Sequence, residues 1–338
     1  MRRALGPLLV IAVLAVVLAL LQASGLSFWQ GLFVNLGIFL ILVLSLNLAN
    51  GFTGVFSLGH VGFMALGAYG SAILTLPLKE KLAYLPNLPP WLAPLHFDFG
   101  IGPFPLGFLL ATLIVGAMVA IVALGVGAVL MRLSGHFVAV ATLGFLVIVR
   151  VVLLNSDNIT RGSRTFGNVT AYTDLWWVWL WVIVTAYVVW RIKRSPFGRA
   201  MFAQREDAYA AQSVGINVMT PRLIAFVISA FFTAVAGSLY AHFITSFSPN
   251  VFYFDITFRV VTMLVVGGMG SVSGSIVGTI LILALAELLR RIEDATLLYG
   301  LSQIILATIF LFIIIFRPAG LFGQREIALD RVFIKEKL

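Results

Sequence analysis

The sequence predicts an all-α protein, a polytopic transmembrane helical bundle, and three observations support that fold class. Of the 338 residues, 61% are hydrophobic and only 10% are charged, and the mean hydropathy is +1.08. The apolar residues form repeated runs of roughly 20 residues, the length of a helix that crosses a bilayer. Basic residues are concentrated between and after these runs, chiefly at 191–222 and 317–338. The length leaves room for about ten helices, so 1–338 is predicted as a single transmembrane domain.

Ten apolar runs are interpreted as membrane spans. In chain order they cover 6–22, 31–49, 58–76, 104–131, 136–154, 175–190, 222–245, 256–268, 272–290 and 299–316. With Arg2 and Arg3 in the cytoplasm, ten spans place the loop 191–221, the basic tail 317–338 and both termini on the cytoplasmic side, as the positive-inside rule requires. The first run also resembles a signal peptide, but the number of spans that follow favours a retained helix.

The loop 191–221 is polar and helix-capable. Six of the 22 basic residues lie at 191–222, and each would cost roughly 2.5–3.5 kcal/mol at the centre of a bilayer, so the segment is predicted to be a cytoplasmic loop. Ser195 and Pro196 favour the start of a helix, and Gly215 is suited to end one. We therefore expect a docking helix over 206–214. Its small apolar face comprises Ala210, Ala211 and Val214, flanked by Arg205, Glu206 and Asp207.

Two stretches rich in glycine and serine, 50–62 and 267–278, interrupt the apolar runs. Interrupted helices expose N–H and C=O groups to a ligand, so the two stretches are predicted to line a substrate path. The alternative is close helix packing through small residues. The two stretches also suggest an internal repeat, but the predicted topology gives both breaks the same orientation, whereas an inverted repeat needs opposite orientations. The candidate path residues are Thr53, Gly54, Ser57, Gly59, His60, Gly268, Gly270, Ser271, Ser273 and Gly274.

Several function classes are disfavoured by the composition. The chain has no cysteine, and its four histidines share no metal-ligand spacing, so no metal site, catalytic residue or cofactor is expected. It has no nucleotide-binding P-loop, so any ATP must be hydrolysed by another polypeptide. The net charge of +9 is explained by basic segments beside a membrane lipid surface rather than by nucleic acid. An ion-coupled secondary transporter, the alternative from another class, would bury carboxylates in mid-span, and here they lie in loops or near span ends.

Several segments together resemble one transporter family. They are 194–199 (RSPFGR), 205–207 (RED), 215–217 (GIN), 54–60 (GVFSLGH), 267–274 (GGMGSVSG) and 316–321 (FRPAGL). These are similar to the permeases of branched-chain amino acid ATP-binding-cassette importers, in particular the LivM-like subunit. Ala210, Ala211 and Gly215 also resemble the EAA loop of such permeases, with Tyr209 in place of the motif's glutamate.

The resemblance implies a subunit that alternates access under the control of a separate ATPase. Its expected partners are a paralogous permease, two cytoplasmic ATPase subunits and an extracytoplasmic substrate-binding protein, in a bacterial or archaeal cytoplasmic (inner) membrane. The expected substrates are branched-chain, hydrophobic amino acids, with urea or short amides as the alternative. The loop 191–221 would be the coupling loop. The residues expected to couple to the ATPase are Arg205, Glu206, Asp207, Ala210, Ala211 and Gly215.

Overall fold

The computed structural model describes residues 5–326 except 86, 91, 98, 101–104, 134 and 324, and the side chains of 5–11 are also left out of the description. The rest of the predicted basic tail, 327–338, lies outside the described residues. The helices are α1 (Leu5–Ala23), α2 (Ser27–Leu46), a π-helical turn (Asn47–Phe52), α3 (His60–Thr75), α4 (Leu78–Tyr84), α5 (Leu106–Leu130), α6 (His136–Asn155), α7 (Asp157–Thr160), α8 (Leu175–Arg194), α9 (Pro196–Glu206), α10 (Ala208–Ser213), α11 (Met219–Ile244), α12 (Phe254–Gly267), α13 (Val272–Thr296) and α14 (Leu301–Phe316).

The prediction of an all-α membrane bundle is confirmed, and each of the ten predicted apolar runs overlaps a helix. Within the described residues, six helices are long and apolar enough to cross a membrane: α2 with the π-helical turn, α5, α6, α8, α11 and α13. The pair α3 and α4, bent by 119°, could supply a seventh. The number of crossings and the internal repeat therefore stay predictions.

Helix α11 lies at the centre of the bundle, where α2, α3 and α5 pack around it. Its closest neighbour is α3. A Cβ atom on Gly237 would lie 2.8 Å from the carbonyl carbon of Met64, and one on Gly67 would lie 2.6 Å from the Cα of Ala234. Ser238 Oγ donates a hydrogen bond to the carbonyl oxygen of Gly67 at 3.2 Å. The two backbones therefore touch, as small residues allow in membrane helices.

Two irregular segments meet at one end of the bundle. Helix α2 continues into the π-helical turn, which adds a residue to the helical repeat and often marks a functional position. Helices α12 and α13 form a hairpin, in which Gly267 lies against Gly274 and Gly278. The hairpin turn, 268–271, contacts the π-helical turn on the side that carries α9 and α10. We call this side the loop end of the bundle.

Candidate functional site at the loop end of the bundle

The loop between α8 and α11 is shaped by caps that its own sequence supplies. Ser195 Oγ accepts a hydrogen bond from the N–H of Gly198 at 3.2 Å, which confirms the predicted helix start. Asp207 Oδ1 accepts from the N–H groups of Tyr209 and Ala210 at 2.8 and 3.0 Å. Because Asp207 is extended, it divides the loop into α9 and α10, where a docking helix over 206–214 was expected. Gly215 has a φ of +84°, the conformation predicted for the helix end.

Helix α10 presents apolar side chains to the outside of the bundle. Tyr209 is 86% exposed and Val214 is 75% exposed, and Ala210 between them is exposed as well. Ala211, which was expected on the same face, is buried against the rest of the protein. We call Tyr209, Ala210 and Val214 the docking patch. Exposed apolar side chains that stand together on a capped helix form a surface that either another protein or the membrane surface can cover.

Arg205 was expected to flank this patch, but its side chain extends towards the bundle. Nη1 donates hydrogen bonds to the carbonyl oxygens of Gly51 and Met269, the latter at 3.3 Å. The aliphatic part of the side chain passes Gly54, where a Cβ atom would lie 2.9 Å from the Arg205 Cγ. Burial lowers the pKa of this guanidinium from its ordinary value, and the charge of Glu206 opposes that effect. A single side chain of α9 therefore contacts both glycine-rich breaks.

The hairpin turn 268–271 is held by side chains from other parts of the chain. Asn47 Oδ1 accepts from the N–H of Gly270 at 2.8 Å, and Asn47 Nδ2 donates to the carbonyl oxygen of Ser271 at 2.9 Å. Lys193 Nζ donates to the carbonyl oxygen of Gly270 at 2.6 Å. Gly270 has a φ of +93°, a backbone conformation that favours glycine, and a Cβ atom on it would lie 2.5 Å from Arg205 Nη1 and would displace that guanidinium. These bonds use the polar groups that a break in a helix leaves unpaired.

Glu326 closes the same region from the C-terminal side. Its carboxylate lies 2.5 Å from Lys193 Nζ and accepts from the N–H groups of Val272 and Ser273 at 2.8 and 2.9 Å, at the start of α13. Burial alone would raise the pKa of Glu326, but the hydrogen bonds from Lys193, Ser273 and Val272 outweigh it and hold the pKa below the usual range. The carboxylate therefore stays ionised at neutral pH, where a negative charge at a helix N-terminus is favourable.

The first break is also bonded internally. Asn50 and Ser57 exchange two hydrogen bonds at 3.1 and 3.2 Å across the irregular segment. Ser57 Oγ lies 3.0 Å from His60 Nδ1, and His60 Nε2 lies 2.8 Å from Ser229 Oγ on α11. Thr53 Oγ1 donates to a carbonyl oxygen one turn earlier at 2.5 Å. These polar side chains therefore tie the break to α11 and to its own backbone.

The candidate path residues thus come together at the loop end. In the first break, Thr53, Ser57, Gly59 and His60 are buried, whereas Gly54 is exposed. In the second break, Ser273 is half-buried. The other members of that group are buried, namely Gly268, Gly270, Ser271 and Gly274. Sequence reasoning missed Asn47, Lys193 and Glu326. An amide inside an apolar run was the available signal for Asn47.

A recess of about 680 Å³ lies at the opposite end of the bundle. Arg161 and Arg164 line it, and the Arg161 guanidinium carbon lies 3.8 Å from the ring centroid of Tyr84. Arg161, Asn168 and Thr245, which all line the recess, have φ between 56° and 65°, an uncommon conformation for residues other than glycine. Arg161 and Thr245 are the left-handed residues that end α7 and α11, so the ends of two helices shape this recess.

These features define a multi-pass helical membrane protein whose broken helices meet an exposed capped loop. Comparison of the sequence with protein families gives a match over residues 27–316, and the chain belongs to the family described as branched-chain amino acid transport system / permease component. It is thus a permease subunit of the ATP-binding-cassette importer type and not an enzyme, which confirms the sequence prediction, and ATP is hydrolysed on a separate subunit.

Similar proteins include two kinds of permease. The chain is 31% identical to the high-affinity branched-chain amino acid transport system permease protein LivM of Escherichia coli K12, over 84% of this chain and 67% of that protein. It is 23% identical to a probable LivM of Methanocaldococcus jannaschii, over 86% and 92%. It is also 32% identical to the permease protein LivH of Salmonella typhimurium, over 52% and 55%, which implies a second permease as partner. No solved structure matches the chain.

Proposed function

We propose that this chain forms part of the membrane channel of an importer for branched-chain, hydrophobic amino acids, with alternating access driven by a separate ATPase. The observation that carries the proposal is the similarity to LivM along 84% of the chain. In this proposal the chain crosses a bacterial or archaeal cytoplasmic (inner) membrane ten times, and both termini and the loop end face the cytoplasm. A paralogous permease is the other half of the channel.

The docking patch is proposed as the contact with the ATPase. Its apolar side chains are exposed on a helix that the caps of Asp207 and Gly215 hold in place. Glu206 and Asp207, both exposed beside it, supply negative charge that a basic rim on the ATPase would complement. The residues proposed for this contact are Glu206, Asp207, Ala210, Ala211 and Gly215, with buried Ala211 supporting the helix from beneath.

The two breaks are proposed to border the cytoplasmic end of the substrate path. Gly54 and Phe56 are the exposed residues of the first break, so a substrate that leaves the bundle here would pass them first. The buried path residues, Thr53, Ser57, Gly59, His60, Gly268, Gly270, Ser271, Ser273 and Gly274, would form the wall behind them and move when the path opens. A wall whose polar groups are internally bonded suits an apolar cargo, since it offers few unpaired groups to water.

The recess at the opposite end is proposed as the place where an extracytoplasmic binding protein delivers the substrate. Two arginines on an exposed rim are suited to meet acidic side chains of such a partner, because complementary charge accelerates docking. This assignment also places delivery and ATPase contact at opposite ends of the bundle.

The test is co-expression with the candidate partner subunits, followed by purification and uptake in proteoliposomes. Ala210→Arg places a large cation in the docking patch and is expected to remove the ATPase from the purified complex and to abolish ATP-driven leucine uptake. Ala23→Arg makes the same change at an exposed position on α1 and is expected to leave both intact.

The substrate arm uses radiolabelled leucine and urea with the wild-type complex. Leucine uptake that requires ATP supports the proposal, and urea uptake in its place would establish the short-amide alternative. If no ATPase binds wild type and an ion gradient alone drives uptake, the importer assignment is wrong and the secondary transporter replaces it.

A further inference from the structure

We infer that Arg205 is a positioning residue that fastens the coupling loop to both glycine-rich breaks, so that movement of α9 is passed directly to the wall of the path. The inference rests on the proposed function, because it assigns to Arg205 the step between the ATPase contact and the opening of the path. We call Arg205, Asn47, Gly51, Met269 and Gly270 the Arg205 joint.

The first argument is the geometry of the guanidinium. One nitrogen, Nη1, donates to the carbonyl oxygens of Gly51 and Met269, which belong to segments more than 200 residues apart in the sequence. Both acceptors lie where a regular helix is interrupted, at the π-helical turn and at the start of the hairpin turn. Interrupted helices leave carbonyl oxygens available to an outside donor, and Arg205 supplies that donor from α9.

The second argument is that the two breaks are already fastened to each other. Asn47 bonds the N–H of Gly270 and the carbonyl oxygen of Ser271. A Cβ atom on Gly51 would lie 2.6 Å from the N of Gly270, so the two backbones are in direct contact. A force applied to either break is therefore applied to both.

The third argument is the contrast between Arg205 and the three arginines that precede it in the loop 191–221. Arg191, Arg194 and Arg199 are exposed, whereas Arg205 is half-buried and bonds neutral carbonyl groups. The Arg205 guanidinium has exchanged hydrogen bonds to water for hydrogen bonds to two carbonyl oxygens. Separating it from them costs free energy, since hydrogen bonds that involve a charged group are among the stronger ones. The packing of Phe202 on α9 against Phe52, with ring centroids 5.1 Å apart, adds an apolar contact across the same boundary.

The test uses the complete transporter in proteoliposomes, with Arg205→Gln and the matched control Arg199→Gln. Both variants remove one positive charge from α9, but Arg199 is exposed and lies outside the joint. Two quantities are measured for each: the amount of ATPase that co-purifies, and the leucine taken up per ATP hydrolysed. Arg205→Gln is expected to keep the ATPase bound and to lower leucine per ATP roughly tenfold, because it loses a charged hydrogen-bond donor to two segments. Arg199→Gln is expected to match wild type in both.

The outcomes separate this inference from the proposed function. If wild type itself shows no ATP-driven uptake, the proposed function fails, whatever Arg205 does. If wild type is active and Arg205→Gln matches Arg199→Gln in leucine per ATP, the Arg205 joint does not transmit movement and the inference is overturned. If Arg205→Gln loses the ATPase, then Arg205 belongs to the docking contact, as the sequence alone suggested, and the inference is again overturned.

Arg205→Lys covers the case in which Arg205→Gln does not accumulate in the membrane. Lysine keeps the charge and most of the stem beside Gly54, but its Nζ lies one bond closer to the backbone than the Nη1 of arginine, so it falls short of the two carbonyl oxygens that Nη1 bonds. We expect normal ATPase binding and a coupling ratio below that of wild type. A ratio equal to wild type would show that charge alone suffices and would overturn the joint as described.

A second measurement tests whether α9 and the π-helical turn move as one body. The chain has no cysteine, so the double variant Phe52→Cys, Phe202→Cys carries no other thiol in this subunit, and the bridge is assigned by comparison with the wild-type complex treated in the same way. A short bifunctional maleimide is used to bridge the pair in the assembled complex. Uptake by the bridged protein within about twofold of the unbridged protein is expected if the two segments move together, whereas a block would show that they must separate in each cycle.

Discussion

The contact between α3 and α11 makes a quantitative prediction about Gly237→Ala. An added Cβ atom would overlap the carbonyl oxygen of Met64, which is the nearest atom, and would lie 2.8 Å from the carbonyl carbon, whereas ordinary contacts begin at 3.4 Å. The helices must therefore part by more than the roughly 0.6 Å that the contact with the carbon alone requires, and overpacking of this kind typically costs roughly 1–3 kcal/mol. Parting would also stretch the 3.2 Å hydrogen bond from Ser238 to Gly67. The usual helical gain of alanine over glycine, about 0.5–1 kcal/mol, does not offset the upper part of that range.

The matched control is Gly125→Ala on α5, where the added Cβ atom would meet nothing within 4 Å. It makes the same chemical change and is expected to leave stability unchanged or slightly higher. The assay is thermal unfolding of the purified chain in detergent, followed by fluorescence-detected size exclusion.

We expect Gly237→Ala to lower Tm by roughly 2–6 °C relative to Gly125→Ala, since about 1 kcal/mol corresponds to roughly 2 °C in a chain of this size. Equal Tm values for the two variants would refute the backbone contact between α3 and α11. A higher Tm for Gly237→Ala than for Gly125→Ala would also refute this contact.

Three further predictions concern the two ends of the bundle. Glu326→Gln should increase hydrogen exchange at the N–H groups of Val272 and Ser273 roughly three- to tenfold, because the cap on α13 loses its charge. In wild type the same increase, relative to the intrinsic exchange rate at each pH, should appear only as pH falls through the lowered pKa of Glu326, below its ordinary value near 4.5. Tyr209→Ala should weaken ATPase binding by about 1–2 kcal/mol in a titration with purified ATPase, and unchanged binding would exclude Tyr209 from the contact. Arg164→Glu should slow binding-protein docking about tenfold at low salt, measured by stopped flow, with Arg164→Lys near wild type.

The parts of the fold that were predictable depend on local chemistry. Apolar runs of bilayer length predicted every long helix, because a backbone in hydrocarbon must satisfy its own hydrogen bonds. Ser195 predicted the start of α9. Gly215 predicted the left-handed turn that follows α10. Asp207 was placed in the right segment, but its role as the cap that splits α9 from α10 depends on an extended backbone that composition does not reveal.

The parts that were not predictable depend on contacts between distant segments. An arginine in a loop can face a partner or the bundle, and only the meeting of α9 with two breaks decides that Arg205 faces inward. Asn47 lies in an apolar run, and its partners are 223 and 224 residues away. Glu326 lies in a basic tail that was interpreted by its net charge alone, so its bond to Lys193 was hidden.

The packing of α3 against α11 implies a delay during biosynthesis, because α3 is made well before the helix that it packs against. Gly67 and Ser238, which bond across that contact, are 171 residues apart in the chain. At roughly 5–20 residues per second, about 10–30 s pass between synthesis of α3 and arrival of the helix that covers it. During that interval the hydrogen bonds from His60 to Ser229 and from Thr75 to His242 cannot form. Helix α3, which is rich in glycine and hydroxyl groups, is therefore in the membrane before the helix that it packs against most closely. Variants of α3 should therefore depend on insertion factors that shelter incomplete bundles.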